Sequence, residues 1–137
     1  MIEFEGGCYC GRLRYSAKGE ALFKALCHCR DCQYFSGGMA ALLIGMPTQG
    51  FEYTKGEPVV SKNVNTEVDS QREFCGHCGT HILAKTSENT DLVSIKAGTM
   101  DDLAAYGGPD MALQMADSNA YHALPEGVES HQHWPWS

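Results

Sequence analysis

At 137 residues and 15.0 kDa, the chain is sized for one domain with a modest core that a metal staple would reinforce. Hydrophobic residues make up 43% and charged residues 20%, a globular balance that excludes wholesale disorder. The formal charge of -7 and isoelectric point near 5.2 exclude the clustered basic face that a nucleic-acid partner requires, and no basic run suggests a membrane surface.

The chain opens with acids at Glu3 and Glu5 and no apolar stretch long enough for a signal peptide or a membrane span, which points to the cytoplasm. Residues 11–17 alternate as a strand, Leu13 and Tyr15 on one face and Arg12, Arg14 and Ser16 on the other. Cys8 and Cys10 precede it, and in an extended segment residues i and i+2 project to one side, so both sulfurs can reach one ion. A second strand is expected over 22–27. Residues 30–35 make about one helical turn, stopped by Gly37-Gly38. The apolar run 39–46, closed by Pro47, is too short to span a membrane and reads as a buried strand. Short strands follow over 51–54, 59–64, 67–74, 81–85 and 93–97, with another over 112–116, separated by Gly-, Pro-, Ser- and Asn-containing turns. Many short strands without helical periodicity imply a mainly β fold. The tail, His131-Gln-His133-Trp134-Pro135-Trp136, is read as a surface segment that packs on the body or on a second copy.

All seven cysteines fall in three tight groups: Cys8-Tyr-Cys10, Cys27-His-Cys29-Arg-Asp-Cys32 and Cys75-Gly-His-Cys78. In a reducing compartment this spacing reads as metal binding, and the competing reading, a redox Cys-x-x-Cys, lacks the βαβ pattern such motifs accompany. Cys75-Gly-His-Cys78-Gly79 has knuckle spacing and needs two more ligands, which Cys8 and Cys10 supply from far away in the sequence. That set closes a four-cysteine structural zinc site. With both sites filled, seven thiolates and two zinc ions would take the net charge to about -10.

Cys27, Cys29 and Cys32 suit a strand end running into one helical turn, with Cys29 and Cys32 three apart on one face. Three protein ligands leave a position open, the mark of catalytic rather than structural zinc; a thiol bound there is deprotonated and becomes a strong nucleophile. The alternative is a histidine that closes the triad as Cys3His. His28 lies between two ligands and so points to the other face, His77 is a solvated turn residue, His81 is accounted for by packing, and His131 and His133 by the tail.

These clusters resemble the glutathione-dependent formaldehyde-activating family, which includes centromere protein V-like domains. The matching residues are Gly6-Gly7-Cys8-Tyr9-Cys10-Gly11-Arg12-Leu13-Arg14-Tyr15, Cys27-His28-Cys29-Arg30-Asp31-Cys32 with Ser36-Gly37, Arg72-Glu73-Phe74-Cys75-Gly76-His77-Cys78-Gly79-Thr80 and Gly98-Thr99-Met100-Asp101-Asp102. The resemblance implies a single zinc-stapled domain over 1–137, with a motif-bearing core of about 6–122 and a tail over 123–137, folded as a tent of short antiparallel strands with one or two helical turns. It implies Cys8, Cys10, Cys75 and Cys78 as structural zinc ligands and Cys27, Cys29 and Cys32 as catalytic ones. Thr80, Leu103 and Tyr121 depart from residues common in the family, Ser, Pro and Trp respectively, and none of them removes a ligand.

The implied activity is carbon-sulfur lyase chemistry on glutathione or a related thiol adduct, of the S-hydroxymethylglutathione type, with one structural zinc and one catalytic or labile zinc. Arg30 is the first candidate to hold a carboxylate of the thiol, with Arg12, Arg14 and Arg72 behind it. Asp31 reads as a helix cap or as a group that orients water. The alternative, from a different class, is a non-catalytic zinc-stapled module that binds a protein partner, as in tent-like exchange factors for small GTPases; such a module has no use for the additional triad.

Overall fold

The computed structural model describes residues 1–62 and 69–135. Its strands in chain order are β1 (Ile2–Gly7), β2 (Arg14–Gly19), β3 (Phe23–Cys27), β4 (Ala41–Pro47), β5 (Phe51–Lys55), β6 (Val59–Lys62), β7 (Ser70–Phe74), β8 (His81–Thr86), β9 (Asn89–Lys96), β10 (Met111–Leu113) and β11 (Glu129–Ser130), and helix α1 (Arg30–Ser36) links β3 to β4. A small antiparallel sheet has the order β1-β2-β5, and a large one β11-β10-β3-β4-β9-β8-β7-β6. The fold is mainly β, as expected. Two pairings depart from the antiparallel pattern, β10 lying parallel to both β3 and β11. The parts of the expected strands 59–64 and 67–74 that fall on 63–68 lie outside the described residues, as does Trp136.

The main core fills the space between the sheets. Leu13, Tyr15 and Ala17 are at most 1% exposed, as the alternation in that segment requires. They meet Ile44, Met46, Ile82, Leu83, Val93 and Ile95 from the large sheet; burying each large aliphatic side chain contributes about 1.5–3 kcal/mol. Tyr15 stacks on Phe51 and meets the edge of Phe4. Its hydroxyl donates to Thr99 Oγ1 at 2.8 Å, and Thr99 donates in turn to the Lys96 carbonyl at 2.7 Å.

The apolar run of β4 has a second consequence. Ile44 and Met46 enter the main core, while Ala41 and Leu43 face the other side of the sheet and pack with Cys27 and Cys32. The same alternation operates in β9: Val93, Ile95 and Ala97 belong to the main core, so Lys96 stands on the opposite face, paired across strands with Leu43. Both faces of the large sheet are thus furnished, one with the core and the other with the triad.

Two expectations need correction, and the tail takes the first of its two expected places, on the body. Residues 8–11 are not extended: Gly11 N–H donates to the Cys8 carbonyl at 3.2 Å and Gly11 has φ 81°, so a tight turn brings the two sulfurs together. The segment 112–116 is strand only as far as Leu113; Gln114 adopts φ 55° and a 3-10 turn follows over Met115–Asp117. The tail joins the large sheet, with His131 N–H donating to the Ala112 carbonyl at 2.9 Å and Met115 N–H to the His131 carbonyl at 3.0 Å. Among the described residues, no helix is long and apolar enough to cross a membrane.

Candidate metal centres and the adjoining cavity

Cys8, Cys10, Cys75 and Cys78 converge, their sulfurs all within 4.8 Å of one another. Cys8 and Cys10 come from the turn after β1, and Cys75 and Cys78 from the turn joining β7 to β8. That second turn is closed by Gly79 N–H donating to the Cys75 carbonyl at 2.8 Å, with Gly79 at φ 79°. The Sγ–Sγ separations of 3.6 Å for Cys8–Cys10 and 3.8 Å for Cys10–Cys75 are far beyond a disulfide bond. They match the edge of about 3.8 Å expected of a tetrahedron built on Zn–S bonds of about 2.3 Å. Polar groups also hold two of these sulfurs: Leu13 N–H donates to Cys8 Sγ at 3.2 Å, and Thr80 Oγ1 accepts from Tyr9 N–H and lies 3.2 Å from Cys78 Sγ. The Thr80 hydroxyl and backbone hold the Cys78 thiol down at about 5. Threonine therefore supplies the same oxygen that serine would. His77 is exposed in this turn.

Cys27, Cys29 and Cys32 form the second group, with sulfurs also within 4.8 Å. Cys27 ends β3, and the other two sit at the start of α1. Cys29 itself caps the helix, its sulfur accepting from Cys32 N–H at 3.4 Å, so the cap expected of Asp31 falls to a cysteine and Asp31 lies in the first turn. Of the three, Cys29 is the natural thiolate: sulfur hydrogen bonds from Cys27 and then Cys32 pull its pKa to about 2. Cys27 is pushed up, first by its bond to Cys29.

No histidine joins the triad among the described residues. His28 is 2% exposed and points away, its Nδ1 3.3 Å from the Leu113 carbonyl and its ring 5.1 Å from that of His122. The loop is fixed from behind. Gln33 Nε2 donates to the His28 carbonyl at 2.8 Å and to the Asp117 carbonyl at 2.9 Å. His122 accepts from Asn119 N–H at Nδ1, so its Nε2 carries the proton and donates to the Gly38 carbonyl at 2.8 Å. Groups of this kind orient ligands and are part of a metal site's design.

A cavity of about 290 Å3 adjoins the triad, lined by Phe35, Ala41, Leu42, Gly79, His81 and Lys96 among others. Ala41 packs with Cys27 and Cys32, and the charge of Lys96 acts on all three sulfurs. Arg72, 6% exposed, lies with its guanidinium 4.0 Å from the centre of the Phe35 ring and acts on Cys29. A bulge places His81 here: the register shifts between Glu73 and Phe74, so Ile82 and Leu83 both enter the core. His81 then turns to stack on Phe74, the re-aiming that bulges perform.

The remaining arginines lie elsewhere. Arg30 is exposed on α1, its guanidinium 4.8 Å from the Tyr34 ring centre and bonded to Gln33. Arg14 forks onto Asp101, with Nη1–Oδ1 at 2.9 Å, and Asp102 caps the next turn through Ala104 N–H, so the Gly98–Asp102 motif is architectural. Lys96 goes unassigned in the sequence, and His81 is assigned to packing alone. The signal was present for Lys96, a lone cation in a strand whose neighbours Val93, Ile95 and Ala97 alternate inward; none existed for the bulge.

The His81 Nδ1 is buried with no hydrogen-bond partner among the described residues, and burial, then the charges of Lys96 and Arg72, lower its pKa. Below the unfolded value near 6.5 the unfolded chain takes up a proton that the folded chain resists, so this group adds nothing to stability above about pH 6.5 and subtracts from it as pH falls toward the depressed folded value. His81→Phe, which keeps the stack on Phe74, should therefore be more stable than the parent by an amount that grows from pH 7.5 to 5.5 in urea unfolding. A pH-independent difference would contradict this assignment.

The model of the family described as glutathione-dependent formaldehyde-activating enzyme matches residues 3–117, and the chain belongs to that family. It is 31% identical over 85 residues to an uncharacterized lyase of Schizosaccharomyces pombe, an overlap of 58% of this chain that spans 56% of the yeast protein. Among solved structures it resembles that of a Rhodobacter sphaeroides protein, with a TM-score of 0.58 at 16% identity, covering 71% of this chain and 87% of that one. The likeness at that identity concerns the fold.

Proposed function

We propose that this protein is a zinc-dependent carbon-sulfur lyase that makes or breaks S-hydroxymethyl-type adducts of glutathione or a related thiol. The observation that supports it best is the grouping of Cys27, Cys29 and Cys32 without a fourth ligand among the described residues, beside an open cavity. In this reading Cys8, Cys10, Cys75 and Cys78 hold a structural zinc and the triad holds a catalytic one. A zinc ion bound by three thiolates supplies a position at which the substrate sulfur is held as thiolate and made nucleophilic at neutral pH.

The chain's own residues do the rest. Gln33 and His122 fix the ligand loop, Phe35, Ala41 and Leu42 give the cavity apolar walls, and Lys96 and Arg72 bias it toward anions. Arg30, at the exposed start of α1, is the proposed cation for a carboxylate of the thiol outside the cavity. In the forming direction the thiolate sulfur attacks an aldehyde carbon, the carbonyl electron pair moves to oxygen, and that oxygen takes a proton from solvent; the lyase direction is the reverse.

Elemental analysis of reduced protein should give about two zinc ions per chain, and the same protein should turn over thiol-aldehyde adducts. One zinc that added zinc cannot raise, together with no thiol-dependent turnover, would favour the non-catalytic binding module.

A further inference from the structure

Lys96 ends β9 in the interior of the large sheet and is partly buried, and its ammonium forms no ion pair and no hydrogen bond among the described residues. Other lysines here are provided for: Lys24 donates to the Tyr106 carbonyl at 2.8 Å and Lys85 pairs with Glu73 at 3.0 Å. An unpaired buried cation is expensive to keep. Among the described residues, the groups facing Lys96 are His81 from the adjacent strand β8 and Arg72 from β7 beyond it, neither of which compensates it, and the three sulfurs of the triad. The geometry therefore places the Lys96 ammonium at the wall of a cavity that opens beside the three sulfurs of the triad.

We propose that Lys96 is a specificity-determining residue: its ammonium, backed by the Arg72 guanidinium, makes the open position of the triad selective for an anionic ligand, so that the site takes a thiolate in preference to a thiol, a thioether or a neutral nitrogen base. This rests on the reading of the triad as a three-ligand metal site. Three thiolates and one divalent ion carry a net charge of -1, and an incoming thiolate makes it -2; Lys96 and Arg72 supply two positive charges against that build-up. Without them the second negative charge would be opposed by a chain already strongly acidic.

The test uses cobalt-substituted protein, whose visible spectrum reports ligands entering the triad, with thiocyanate as the anionic probe and imidazole as the neutral one. Lys96→Met and Lys96→Gln should weaken thiocyanate binding on the order of tenfold and leave imidazole binding unchanged, with Lys96→Arg close to the parent. Thiocyanate binding that is equal in parent and neutral variants would overturn the role of Lys96 and leave the open triad standing. A spectrum that neither probe perturbs, even in the parent, would overturn the open triad and this inference with it. The neutral variants should also unfold at a midpoint at or above that of the parent, because they remove an unpaired buried charge; a large drop would mark Lys96 as a structural residue and overturn the proposal.

Discussion

Cys75→Ser is expected to lower the thermal midpoint by more than about 10 °C and to leave no cooperative transition under mild denaturant. Cys75 is buried and belongs to the main core as well as to the four-sulfur group. Losing it removes one of two ligands from the β7–β8 turn, and the ligand set ties residues 65 apart, Cys10 to Cys75. Structural zinc contributes about 10–16 kcal/mol in small zinc-dependent folds, against a total stability of about 5–15 kcal/mol for a domain. A single broken ligand is thus enough to unfold most molecules. Calorimetry paired with zinc analysis checks this, and a Cys75→Ser protein that melts with the parent would show that the group holds no structural metal.

The second large effect goes the opposite way, sparing the fold and removing the chemistry. Cys29→Ala deletes one of three triad sulfurs together with the helix cap that accepts from Cys32 N–H. The cap is worth about 1 kcal/mol, and α1 is only seven residues long, so the midpoint should fall by only about 3–4 °C. Thiol-dependent turnover should fall by at least about 10^3-fold, and zinc per chain should drop by about one. Turnover near the parent's level in Cys29→Ala would remove the triad from the mechanism. Because the staple and the triad use separate sulfurs on the two sides of one sheet, the two substitutions should dissociate stability from activity cleanly.

Much of this architecture could be read from the residues alone, because the cysteine spacing is nearly a wiring diagram and because alternation in 11–17 and the apolar run in 39–46 carry a simple signal. The seven cysteines gather into the two groups that their spacing suggested, although Cys8 and Cys10 meet through a turn at Gly11 and not through an extended segment. What escaped were features set by tertiary context. No strand is expected from the sequence over the segment that forms β1, although Glu3 and Glu5 alternate there with Ile2 and Phe4. In the fold Gly6 is required by close approach: a Cβ there would lie 2.3 Å from the Thr99 carbonyl oxygen. The two-residue β11 is too short to leave a pattern. The bulge that re-aims His81 is a one-residue register event that only the partner strand reveals.

The bonds that brace the triad from behind also bear on how the molecule is made. All four cysteines of the first group have left the ribosome once residue 78 is clear of it, so that group can assemble during synthesis. The triad is different: the Asp117 carbonyl that Gln33 grips and the His122 ring that holds Gly38 come later in the chain. The first group of sulfurs can thus assemble before the second acquires its final setting, which waits for residue 122 to emerge.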